Sequence, residues 1–216
     1  RDRWRRTYEL PYLFDYHARF PAYWQKDDHD ILRDDAGPTS PPFGELTFEQ
    51  GIQVFRDHTP VGDMPYRRIR WGSLAEIWLL EGREFRDRNT ASDGPNKTLL
   101  GAAQKAWLKR TLLASDARWR IVITPTPIVG PDRARFKRDN LSNSAWEYES
   151  EELRSFFAAE LGDNFFIIAG DRHWQYCSTH PQSGVEEYGC GPVTDAHAGG
   201  SPGRDRHYHR FHRVAG

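Results

Sequence analysis

Residues 164–174 read NFFIIAGDRHW. The apolar run stops abruptly at Gly170-Asp171, and a short run of this kind bounded by Gly suits a buried strand. Residues 120–124 (RIVIT) form a second such run, ahead of Thr124-Pro125-Thr126-Pro127. Between the two, residues 145–161 predict a helix, with Ser144 and Glu147 at capping-box spacing and Gly162 as its stop. Upstream, residues 98–114 (TLLGAAQKAWLKRTLLA) predict another helix. Thr98 is its candidate cap, and Leu100, Ala103, Trp107, Thr111 and Leu112 share a face. Residues 67–71 and 75–81 read as a strand pair around Gly72-Ser73, and residues 45–57 as an earlier helix. Strand pair, helix, strand, helix, strand is the order of an α/β layered domain. In such domains active residues gather past the carboxyl ends of strands, where Gly170-Asp171-Arg172-His173 stands.

The totals agree with one globular unit. The 216 residues carry 38% hydrophobic residues, too many for a disordered chain. Lys and Arg number 30 against 31 Asp and Glu, so the charge balance gives no footprint for nucleic acid or an anionic membrane. No apolar run approaches the roughly 20 residues of a membrane helix, and no signal peptide is visible. Residues 34–44, 87–97 and 124–140 read as loops, and residues 189–216 as a Gly- and His-rich tail. Cys177 and Cys190 are compatible with a disulfide or with two free thiols.

Two clusters carry chemistry. Asp27-Asp28-His29-Asp30 packs three carboxylates and an imidazole into four residues. That crowding is costly unless something positive sits among them, and a bound cation is the simplest remedy. A solvated acidic loop is the alternative reading. Asp171 and His173 would face one side if their loop stays extended. Arg172 is a candidate for orienting a phosphate, and Trp174 for walling a pocket or packing. Together these types fit a metal that polarises phosphoryl oxygens and a histidine that protonates a leaving oxygen. Asn140 and Asn143 invite a ligand reading, but loop hydrogen bonding explains them as well. Asp195, His197, His207, His209 and His212 read as an active-site rim or surface loop.

Four stretches resemble the alkaline phosphatase D (PhoD-like) family. Residues 20–30 (FPAYWQKDDHD) resemble its DDH[DE] segment, and Arg70-Trp71-Gly72 with residues 79–86 (LLEGREFR) its RWG…LDTRxYR stretch. Residues 99–108 resemble its LGxxQxxWL helix, and residues 164–174 its final strand and GDxH motif. The resemblance implies a calcineurin-like metallophosphoesterase domain, a layered β-sandwich flanked by helices with a two-metal centre of calcium and iron. It implies metal-ligand positions at Asp28, Asp171 and His173. It gives His29 the role of stabilising the transition state or protonating the leaving group, with Asp30 beside it in the catalytic pair. Asp27 and Asp30 are expected to be carboxylates that orient His29, and Asp27 with Arg172 to face the substrate, a phosphate mono- or diester.

The family's Cys-bearing strand and GDxxY segment, source of the carboxylate that bridges its metals, do not occur in these residues, and Glu81-Gly82 stands where the family has Leu-Asp-Thr. Residues 1–216 are therefore expected to be a single partial domain, incomplete at both ends. A catalytically inactive metal- or phosphate-binding module is the alternative. A nuclease shares the chemistry, and the charge balance speaks against it. The resemblance also implies export, through a signal outside this sequence.

Overall fold

The computed structural model describes residues 1–130 and 138–192. Two antiparallel and three parallel pairings join six strands in the order β1-β2-β3-β4-β6-β5. The strands are β1 (Arg67–Trp71), β2 (Ala75–Leu79), β3 (Trp119–Thr124), β4 (Phe165–Ala169), β5 (Gln175–Thr179) and β6 (Glu186–Cys190). The helices are α1 (Asp2–Tyr8), α2 (Pro11–Arg19), α3 (Asp28–Ile31), α4 (Phe48–His58), α5 (Ala102–Leu113) and α6 (Glu147–Glu160). This is the mixed α/β architecture the alternation predicts, a six-stranded sheet flanked by helices. All strands among the described residues belong to that one sheet.

The parallel registers place Trp78, Val122, Ile167 and Glu187 in one row across the sheet. Trp78, Val122 and Ile167 are fully buried in a core with Leu108 and Leu112 of α5 and Leu153 and Phe157 of α6. The opposite face carries Ile77, Ile121, Ile123, Phe166 and Ile168, each only partly buried. Apolar residues on both faces explain why these strands read as continuous apolar runs.

Two caps differ from expectation. Gly101, at φ +76°, opens α5 at Ala102. Thr98 stays in the preceding turn, where its hydroxyl accepts the Gly101 N–H at 2.8 Å and donates to Glu149. The helix consequently buries Gln104, Leu108, Thr111 and Leu112, and leaves Ala103 exposed. Ser144 begins a 3-10 turn (Ser144–Trp146) before α6, which starts without a side-chain cap. That turn drives Trp146 into the core, where its indole N–H donates to Arg138 O at 2.7 Å. Gly162 follows α6 in the left-handed region, as expected of a stop.

Helices α1, α2 and α3 and strands β5 and β6 are not among the elements expected from sequence. Strands β5 (QYCST) and β6 (EEYGC) lack an apolar run, although alternate residues are buried. Cys177 and Cys190 are free thiols on these neighbouring strands, each set opposite a different residue, Tyr188 and Gln175. Helix α1 lies on α4 through Trp4 and Phe55, ring centroids 5.8 Å apart, and through Tyr8, whose hydroxyl donates to His58 O at 2.9 Å.

Candidate functional site

The DDHD segment folds as the single turn α3, capped at Asp27. Four residues are too few to hold a helix in isolation. Helix α4 holds them: Ile31, Ala36, Phe48 and Ile52 form a small core, and Gly51 of α4 packs directly on the end of α3. A Cβ at Gly51 would lie 2.2 Å from Ile31 O, so only glycine permits this approach.

Within the turn every carboxylate is engaged. Asp30 accepts the Asp27 N–H at 2.8 Å. Asp28, 6% exposed, accepts the His29 N–H on Oδ1 at 2.7 Å and the Asp35 N–H on Oδ2 at 2.8 Å. Asp35 reaches it from a left-handed backbone, φ +60°. Much of the positive charge that the crowding demands comes from the chain itself. Arg83, fully buried, donates from Nε to Asp27 Oδ1, and its Nη2 lies 3.3 Å from Asp28 Oδ2. Burial pulls the Arg83 pKa down, but Asp27, Asp28 and Asp171 outweigh it and raise it. Burial pushes Asp27 up to about 7, with Arg83 opposing and the charges of Asp28 and Asp171 adding to the rise. Asp30 is also raised, first by burial.

Arg83 stands on the loop after β2. There the buried Glu81 carboxylate accepts the Arg83 and Glu84 N–H groups, both at 2.8 Å, and pairs with Lys26 at 3.1 Å. Glu81 thus shapes the turn that aims Arg83. Gln25 bridges the ends of β2 and β3 through Leu80 O and Ile123 O, which fixes the approach to Asp27.

The Gly170–His173 loop is not extended. Asp171 adopts φ +65°, and the Arg172 N–H turns back to Gly170 O at 2.7 Å. Asp171 and His173 therefore do not share a strand-like face: Asp171 is half-buried toward Arg83 and Asp27, and His173 is exposed. Arg172 is buried, with Nη1 3.3 Å from Asp171 Oδ2 and the guanidinium carbon 5.8 Å from the Trp174 ring centroid. Gly170 packs on the β3 loop, where a Cβ would meet Pro125 O at 2.8 Å.

Asp28, His29 and Asp34 offer two carboxylate oxygens and an imidazole nitrogen within 4.8 Å of one another, the one donor set of this kind among the described residues. Oxygen and nitrogen donors of this kind suit a divalent cation. Asp28 brings a carboxylate already oriented by two N–H groups, as metal-binding carboxylates commonly are. Asp34 was not singled out from sequence; its signal was a second Asp-Asp pair, Asp34-Asp35, shortly after DDHD. Asp171 and His173 lie outside this set. Asn140 and Asn143 are fully buried in a loop network: Asn143 Oδ1 accepts the Asp139 and Asn140 N–H groups, and Asn140 Oδ1 accepts from Ser142. The residues Asp195, His197, His207, His209 and His212 lie outside the described residues.

The model of the PhoD-like phosphatase family matches residues 1–213. The chain belongs to this family. Alkaline phosphatase D of Bacillus subtilis (strain 168) is 25% identical, over 75% of this chain and 32% of that protein. A solved structure titled "Structure of PhoD" superposes with a TM-score of 0.63 at 22% identity, over 78% of this chain and 39% of that one. This PhoD-like chain thus spans about a third of the curated relative. The Asp28, His29 and Asp34 cluster lies within the residues that the family model matches. No helix among the described residues is long and apolar enough to cross a membrane.

Proposed function

We propose that this protein takes part in metal-dependent hydrolysis of phosphate esters, with Asp28 and Asp34 holding a cation beside His29 and the Arg83-braced Asp27 and Asp171. The observation that carries the reading is the donor set of Asp28, His29 and Asp34, which lies within the residues that the family model matches. A cation there would polarise phosphoryl oxygens and offset charge in an in-line displacement. The chain's own groups supply the rest. His29, largely exposed, stands 3.9 Å from Asp34 Oδ1 and can hand a proton to a leaving oxygen. Asp30 holds the Asp27 backbone at the foot of that turn. Asp171 and His173 would contribute further ligands to a two-metal centre of calcium and iron, of which this chain carries a part. Arg172 acts from beneath, pairing with Asp171. Residues 1–216 form one part of a larger phosphatase domain of an exported protein.

Removing metal with a chelator should abolish hydrolysis of p-nitrophenyl phosphate and of bis(p-nitrophenyl) phosphate, and re-adding calcium with iron should restore it. The ratio of the two rates then separates monoesterase from diesterase. Turnover that survives exhaustive chelation would overturn the metal-dependent reading.

A further inference from the structure

Glu187 ends the otherwise apolar row Trp78–Val122–Ile167, and it is fully buried. A carboxylate at such a position is costly unless its oxygens are satisfied. Here four donors converge on it. Oε2 accepts the Ile128 and Val129 N–H groups at 2.7 and 2.9 Å; Oε1 accepts the Gly130 N–H at 2.7 Å and the Tyr176 hydroxyl at 2.8 Å. Three consecutive amides of the loop after β3 are thereby fastened to β6, and β5 is joined to the same atoms. The front of that loop bears on the candidate site. Gly170 N–H donates to Thr124 O at 3.1 Å, Gly170 packs on Pro125, and Thr124 Oγ1 donates to Thr126 O at 2.9 Å. Tyr176 in turn lies within electrostatic reach of Asp171 and Arg172.

We infer that Glu187, with Tyr176, is a positioning residue that fixes the 124–130 loop against the Gly170-Asp171 turn and so sets where the Asp171 carboxylate stands. The inference rests on the reading of Asp171 as a site residue, but its structural half can be tested without turnover. Glu187→Gln keeps the volume but turns an amide N–H₂ toward groups that donate, so it cannot accept from all four. Amide exchange should rise roughly tenfold or more at residues 128–130 and also at 170–172, with β1 and β2 unchanged. Tyr176→Phe, which deletes one hydroxyl, should give the same pattern more weakly, and it carries the test if Glu187→Gln does not fold. In the hydrolysis assay kcat should fall about tenfold with little change in KM, because the loop shapes the site rather than binding the ester. Faster exchange at 128–130 with 170–172 unchanged, or a uniform rise that includes β1 and β2, would overturn the inference. A wild-type protein without turnover would count against the proposed function and leave the exchange result to decide this one.

Discussion

Arg83 reaches back 56 residues to Asp27 and also pairs with Asp28. Replacing it with Met should strand two carboxylates beside a buried apolar group and cost about 3–5 kcal/mol in denaturant unfolding. Arg83→Lys should recover part of that, since one ammonium cannot reproduce a two-armed guanidinium. A loss under 1 kcal/mol for Arg83→Met would mean that the pairing holds little of the turn. Asp27 makes a pH prediction for the metal-free protein. Its native pKa, about 7, lies above its unfolded value, so the native state binds more protons between the two. Its contribution is therefore present at low pH and lost as pH rises from about 4 through 7. A Tm–pH profile should fall over that window and flatten in Asp27→Asn; identical slopes would contradict the assignment. The acidic cluster itself was legible in sequence, because four adjacent polar residues announce themselves; that it folds as a helical turn was not. Arg83 and Asp34 were not, because what matters about them is a partner supplied by the fold.

At the scale of elements, the site depends on two close approaches. Helix α3 is too short to stand without α4, and Gly51 lets the two backbones touch. Gly51→Ala should cost roughly 1–3 kcal/mol of overpacking and lower metal affinity together, by calorimetry on the same samples. Metal affinity unchanged in a destabilised variant would show that α3 keeps its shape without α4. The strands and helices from residue 67 to residue 169 were legible because their apolar periodicity survives on both layers. Strands β5 and β6 were hidden by Glu, Gln, Ser and Gly, residues that take strand form here because β6 pairs with β4, β5 pairs with β6, and the Glu187 network ties them down. The cap at Thr98 was misread because Gly101, with positive φ, stops the helix from starting sooner. The loop at Asp171 was misread for a similar reason: a left-handed residue turns it where an extended one would have aligned Asp171 with His173.

For the whole molecule, the sheet brings the β2, β3 and β4 ends together, and the loops that follow them carry Arg83, Pro125 and Asp171. That is the usual place for chemistry in a sheet of parallel strands. The α3 turn is added from outside the sheet, tied to it by Gln25 and Arg83. The chain belongs to the PhoD-like phosphatases and spans about a third of its curated relative. The direct measurement is hydrolysis of a chromogenic phosphate ester by the metal-loaded protein and by His29→Ala, with folding checked in both. Metal-dependent turnover is expected in the wild type, with a kcat/KM lower by at least about 100-fold in the variant. Equal turnover in a folded His29→Ala protein would contradict it.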